Sequence, residues 1–379
     1  MIPDGWDEVR LGDLGYTFGG LTGKSAKDFG VGSATFVTFM NVMSNVVLSV
    51  EGVELVDVRQ GESQNQLRAR DVIFNGSSET PEEVGFGATV PDELDGVYLN
   101  SFCFGFRCHP DAQFDSEFFA YLTRSPIGRG VIRPMAQGST RYNIAKSNLL
   151  NGRFLLPPLA EQQSIAEALS DADALVESLD ALIAKKRDMK QAAMQRFMAP
   201  GSTLSGATMV RLGDVVQVRK GEPITESTAI PGDVPVIAGG KDAAYHCARW
   251  NRDGLTVTVS ASGANAGYVK LRKGRLWASD CSTVSESPEY DVRYVAAQLE
   301  VRQSKLYQSQ FGGAQPHVRP NDIAAIEVCW VDVAQQQMIG EMIADVDAEI
   351  DALVAQREKA ELVKQGMMQE LLSGRVRLV

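Results

Sequence analysis

Two stretches of the chain keep apolar residues at alternating steps of four and three. In the first, Ile165, Leu169, Ala172, Val176, Leu179 and Ile183 set a frame that continues through Lys186, Lys190, Ala193 and Phe197. In the second, Ile339, Ile343, Val346, Ile350 and Leu353 keep the same steps, followed by Arg357, Ala360, Lys364, Met367 and Leu371. A seam sustained at this period predicts two long helices that pack along it. Pro157-Pro158 suits a helix start but not a strand, while Pro200-Gly201 stops the first helix and Gly374 the second. A continuous helix from Ala160 to Phe197 is ~57 Å long at about 1.5 Å per residue. The simpler alternative, two unrelated amphipathic helices on a core, does not explain why both seams share one register.

The remaining segments alternate short apolar runs with clusters of Gly, Asn, Asp and Ser. Ala34–Phe39, Asp71–Phe74 and Leu255–Ser260 read as strands, and Ser116–Thr123 and Val292–Gln303 as shorter helices. The fold class is α+β, with mixed globular domains at 1–156 and 207–331 and helical segments at 157–206 and 332–379. The order domain, helix, domain, helix permits the helices to pair antiparallel as a coiled coil, which relates the halves by a pseudo-twofold axis.

The halves repeat in sequence. Val9-Arg-Leu-Gly-Asp13 returns as Val210-Arg-Leu-Gly-Asp214, 201 residues on, whereas Ala160–Gln195 aligns without a gap to Ala334–Gln369, 174 residues on. The first globular part is therefore 27 residues longer than the second. Gln162/Gln336, Ile165/Ile339, Asp173/Asp347 and Lys190/Lys364 are among the identities. Helices that repeat closely between diverged domains imply a shared frame carrying two different readers.

Length and composition bound the chemistry. A chain of 379 residues exceeds what one core usually organises. No apolar run approaches a membrane span, and Met1–Arg10 lacks the pattern of a signal peptide, so a cytoplasmic protein is expected. Five scattered cysteines form no C-x-x-C pair, and three histidines offer no metal-ligand spacing. The net charge of −11 speaks against a nucleic-acid partner, yet the two helical segments carry −6 of it. Acid-free basic runs remain: Arg124, Arg129, Arg133, Arg141, Lys146 and Arg153 between Phe118 and Ala160, and Lys270, Arg272, Lys273 and Arg275 in the second half. Each run is either a solvated face or a phosphate-binding one, and one per module favours the latter. The small polar loops Asn75-Gly-Ser-Ser78 and Ser260-Ala-Ser-Gly-Ala-Asn265 are either ordinary turns or surfaces for a base edge.

Catalytic motifs are missing. Gly19-Gly-Leu-Thr-Gly23-Lys24-Ser25 imitates a P-loop, but Phe18 stands where the first glycine is required. Neither H-E-x-x-H, nor G-x-S-x-G, nor an adenine-methylating Asn-Pro-Pro-Tyr motif occurs. No catalytic role and no bound cofactor are expected.

Several motifs together resemble the DNA specificity subunit of type I restriction-modification systems, over nearly the whole chain. They are Trp6-Asp-Glu-Val-Arg-Leu-Gly-Asp13, Gln137-Gly-Ser-Thr-Arg-Tyr-Asn-Ile144 followed by Leu155-Leu-Pro-Pro-Leu-Ala-Glu-Gln-Gln163, Gly263-Ala-Asn-Ala-Gly-Tyr268, Ala278-Ser-Asp-Cys281, and Gly313-Ala-Gln-Pro-His317 before Ala334-Gln-Gln-Gln337. The second junction departs from the pattern, with Cys329-Trp-Val-Asp332 in place of the double proline. The resemblance implies two target recognition domains reading a bipartite double-stranded DNA target, and an antiparallel coiled-coil spacer. It also implies two methylation subunits that bring S-adenosylmethionine, and restriction subunits that translocate and cleave DNA. Expected DNA contacts are Asn75, Ser77, Ser78, Arg133, Ser139, Thr140, Arg141, Tyr142 and Asn143 in the first domain, and Ser260, Ser262, Asn265, Lys270, Arg272, Lys273, Gln315 and His317 in the second. Glu167, Asp171 and Lys185, with Glu341, Asp345 and Lys359, are the expected docking surface or plain solvated helix face. The alternative is an interaction scaffold that binds proteins and not DNA, which the net charge supports.

Overall fold

The computed structural model describes residues 2–198, 204–310 and 316–378. Contacts divide the chain into two compact units, Met1–Ser178 with Arg357–Val379, and Leu179–Gln356. Each unit holds one globular domain and half of each long helix, so the structural division cuts the helices that the sequence pattern treats as whole.

In the first unit a four-stranded sheet runs in the order Gly15–Gly19, Cys103–Cys108, Val72–Asn75, Gly87–Thr89. A three-stranded sheet follows the order Val53–Val56, Phe29–Val37, Tyr98–Leu99, with the last pair parallel. The strand alternation predicted by period two decides what each face buries. Val72, Phe74, Phe104 and Phe106 turn to Phe118, Phe119 and Leu122 of the helix Ser116–Arg124, while Ile73, Ala88 and Cys103 join Val37, Val42 and Leu99 in a second core.

The second unit repeats this plan. Its four strands are ordered Arg219–Lys220, Cys281–Ser285, Leu255–Ser260, Val269–Lys273, and its three are Ala243–Cys247, Val234–Ile237, Trp277–Ala278, again with one parallel pair. The opening Val-Arg-Leu-Gly-Asp motif plays one role twice. Its strand closes the domain by pairing antiparallel with the strand that leads into the long helix, Asp7–Arg10 with Arg153–Leu156 and Thr208–Arg211 with Glu327–Trp330. The predicted strand Ala34–Phe39 ends earlier, at Val37, because Thr38 caps the short helix Phe39–Ser44 with its side chain. The predicted helix Val292–Gln303 breaks at Arg302 into Val292–Val301 and Gln303–Gln308.

The long helices are Leu159–Met198 and Val333–Leu371. The second starts without prolines because the Asp332 carboxylate accepts from the Gln335 amide, an N-cap that serves the same end. In the first unit Asp173 pairs with Lys364. In the second, Lys186 pairs with Glu349, and Lys190 with Asp347 at 2.7 Å. Numbers rise on one helix as they fall on the other, so the helix halves run antiparallel. Asp173 with Lys364 and Asp347 with Lys190 are the same two positions of the repeat. Lysines at seam positions thus face acids across the helix pair in both units.

The apolar start of each seam has another partner. Ile165 and Leu169 are fully buried in the core of the first domain, and Ile339 and Ile343 pack with Tyr294 and Ala297 of the second. One heptad frame serves the domain first and the opposite helix afterwards. A buried glutamine locks each junction. The Gln162 Oε1 accepts from the Asp115 amide at 2.8 Å, and its Nε2 donates to Pro157 O at 2.8 Å and Gln113 O at 3.2 Å. Gln336, its repeat counterpart, accepts from the Asp291 amide at 3.1 Å and donates to Val331 O at 2.8 Å. Asp115 and Asp291 themselves cap the helices that carry the domain cores.

Candidate nucleic-acid interface

The two loops singled out in the first domain are joined by pairing. Ser77–Ser78 forms a short strand with Tyr142–Asn143, in the register Ser77 to Asn143 and Ser78 to Tyr142. The Ile144 amide extends the ladder to Gly76 O at 3.1 Å. Gln137 and Asn143 exchange backbone hydrogen bonds at 2.9 and 2.8 Å, so residues 137–143 stand out as an exposed hairpin. Gly138 at its tip has φ +130°, a conformation glycine tolerates. Ser139, Thr140, Arg141 and Asn143 are exposed, and Tyr142 packs partly on the core.

The second domain builds the same feature. Ser262 bridges to His317, Gly263 N donates to Pro316 O and Val318 N to Ala261 O. Ser77 with Asn143 and Ser262 with His317 therefore occupy equivalent places. The Ser262 hydroxyl also donates to Asp280. Asn265 closes the turn at Gly263–Asn265 by accepting from the Tyr268 amide at 2.9 Å. Gln315, with the Gly313-Ala-Gln part of its motif, lies outside the described residues, as does Pro200-Gly201.

Burial removes other candidates from the surface. Asn75 is fully buried, with Oδ1 accepting from the Phe86 amide at 2.6 Å, and Ser260 is buried at the matching strand end. Ser78 is buried and donates to Glu83 at 2.9 Å. Arg272 donates to Thr258 Oγ1 at 3.0 Å and Lys241 O at 2.7 Å, and burial depresses its pKa. These groups hold the loops in shape.

The basic runs are thinned in the same way. Arg124 donates to the carbonyls of Gly87, Met43, Val42 and Asn45, and Arg129 to those of Pro81 and Val84. Burial pushes both guanidinium pKa values down to about 10, and both rest against the Phe86 ring. Arg133 pairs with Glu82 at 3.1 Å and Arg153 with Glu8 at 3.4 Å. Of the six cations, Arg141 and Lys146 are left exposed without a side-chain partner among the described residues. In the second domain Lys270 pairs with Asp242 at 3.2 Å and Arg275 with Asp253 at 3.4 Å, which leaves Lys273 exposed. Sequence reading missed Lys241, which lies over the Tyr268 ring at 5.4 Å. The Gly239-Gly240 pair before it was its only signal.

The glycines of the failed P-loop have a structural reason. A Cβ on Gly20 would sit 2.1 Å from Asn100 O, and one on its counterpart Gly221 2.2 Å from Ser279 O. Lys24 is held by Glu62. Among the described residues no cluster of His, Cys, Asp and Glu could hold a metal, and no helix is long and apolar enough to cross a membrane. On the helices Glu167, Asp171, Lys185, Glu341, Asp345 and Lys359 are exposed, with Glu341 3.6 Å from Arg293.

A model of the type I restriction modification DNA specificity domain matches residues 3–185 and again residues 205–363. The chain belongs to this family. Its two specificity domains coincide with the repeat read from Val9–Asp13 and Val210–Asp214, and a protein-binding scaffold is not favoured. The fold is similar to that of the type I restriction-modification system S subunit from M. genitalium, at 16% identity and a TM-score of 0.66, covering 98% of this chain and 99% of that one. It is also similar to a chain from structural work on complex assembly and conformational transition of the type I R-M system, at 18% identity and a TM-score of 0.58, covering 98% of each.

Proposed function

We propose that this specificity subunit reads a bipartite duplex, one half-site per domain, and is itself non-catalytic. The observation that carries the reading is the pairing that recurs in both domains, Ser77 with Asn143 and Ser262 with His317, which lifts the hairpin 137–143 into solvent in the first domain. Ser139, Thr140 and Asn143 on the exposed hairpin, with the half-buried Ser262 and His317 at the matching place of the second domain, offer donors and acceptors to base edges, while Arg141, Lys146 and Lys273 hold phosphates; the Ser77 hydroxyl is enclosed and shapes the loop instead. The long helices act as the spacer, and ~57 Å of helix matches roughly 17 base pairs. The exposed faces around Glu167, Asp171 and Lys185, with Glu341, Asp345 and Lys359, dock two methylation subunits, which bring the S-adenosylmethionine. Restriction subunits complete the complex in the cytoplasm. Methylome sequencing of cells with and without this chain tests the whole reading. A two-part motif that disappears with the chain is expected, and an unchanged methylome refutes it. Gel-shift titration against salt adds the binding term, expected to weaken steeply as salt rises.

A further inference from the structure

We infer that Phe102 inserts as an aromatic wedge at a base step of the half-site read by the first domain, and that the second domain reads its half-site without a wedge. The inference rests on the DNA-reading function proposed above and adds the residue that deforms the duplex. Phe102 is 60% exposed, the most exposed aromatic side chain among the described residues. Its backbone is pinned, since the Phe102 amide donates to Asn100 Oδ1 at 2.7 Å and its carbonyl accepts from the Gly76 amide at 3.0 Å. The next residue, Cys103, is buried in the strand beside Asn75. A tight turn anchored at both ends therefore projects the ring outward and stops it from folding back.

The surroundings name the occupant. Phe102 lines one groove with Thr22, Ser77, Arg141, Asn143 and Lys146. An apolar ring amid two unpaired cations and small polar groups suits a polyanion that presents flat apolar faces between its charges. A stacked base step has that chemistry, and apolar wedges that part base steps are a recurrent device of DNA-bending proteins. A protein surface matches the ring but pairs Arg141 and Lys146 only where acids happen to face them, whereas a duplex brings phosphates on both sides of every base step.

The second domain supplies the contrast. Leu21 N donates to Leu99 O and Glu222 N to Ala278 O, both at 2.8 Å, which aligns the two turns. Three residues, Asn100-Ser-Phe102, separate Leu99 from Cys103, but only Ser279-Asp280 separate Ala278 from Cys281. The Gly76 amide donates to Phe102 O at 3.0 Å and the Ala261 amide to Asp280 O at 3.1 Å, so Phe102 and Asp280 hold equivalent places and Ser101 is the extra residue. Where the first domain presents the Phe102 ring, the second has the Asp280 carboxylate, held by Ser262.

The test uses the full chain, with its methylation subunits where binding requires them, and a short duplex carrying the sequence that the wild-type chain selects from a randomised pool. 2-Aminopurine replaces each base of the two half-sites in turn. Apart from the base that a methylation subunit flips out in each half-site, the wild-type chain should raise fluorescence at one further step of the first domain's half-site and at none in the other. Phe102→Ala should abolish that rise and weaken binding about tenfold to a hundredfold, the loss expected for one stacking aromatic. Phe102→Tyr, which keeps the ring, should restore both. Specific binding by Phe102→Ala with wild-type affinity and an unchanged fluorescence pattern overturns the wedge alone. A wild-type chain that selects no sequence overturns the DNA reading, and the wedge with it.

Discussion

Replacing Gln162 by Ala probes the junction between the first domain and its helix. The side chain is 1% exposed and makes three hydrogen bonds, whereas Gln336 is fully buried and makes two. At a net of about 1 kcal/mol per bond, Gln162→Ala should cost ~3 kcal/mol and Gln336→Ala ~2 kcal/mol, more where the orphaned groups stay dry. Hydrogen exchange reads the effect at its source. Peptides spanning Asp115 should lose protection in the first variant and those spanning Asp291 in the second, each leaving the other domain unchanged. Gln162→Glu keeps the acceptor but loses both donors and buries a carboxyl, whose folded pKa must then lie above the unfolded ~4.3. Its stability relative to wild type should be best below that value and fall as the pH rises through the folded pKa. A Gln162→Ala chain with unaltered exchange at Asp115, or a costlier Gln336→Ala, refutes the clamp.

Arg141→Ala and Lys146→Ala should each weaken binding to all duplexes and lower the salt slope by about 1, measured by titration at several salt concentrations. Arg124→Ala, which strips a partner from four carbonyls, should instead lower stability by ~3 kcal/mol in urea unfolding. Removing one heptad from both helices should shorten the spacer by up to about three base pairs and leave both half-sites intact, whereas exchanging residues 1–156 should change one half-site only. Methylome sequencing distinguishes the two outcomes. Burial pushes the thiols of Cys103 and Cys281 up to about 12. Iodoacetamide at pH 8 should therefore label neither until the chain is unfolded, as read by mass spectrometry.

The sequence by itself determined the features that depend on local periodicity and self-similarity. The seam from Ile165 to Ile183 is a one-dimensional signal, because a helix places every third or fourth residue on one face whatever surrounds it. The repeat at Val9 and Val210 needed no coordinates either, and the motifs at Leu155–Gln163 and Gly263–Tyr268 carried the family. Which residues stand at the surface was decided by the tertiary structure alone. Arg124 and Arg141 look alike in a basic run, yet one is enclosed by carbonyls from segments some eighty positions away and the other has no partner. Asn75 and Asn143 both sit in polar loops, but a sheet closes over the first and a hairpin lifts the second into solvent. The seam continues through Lys190 and Lys364 in the sequence, but only the fold sets Asp347 and Asp173 opposite them. Burial and pairing are set by non-local contacts, and those exist only once the chain has closed its sheets and brought distant segments together.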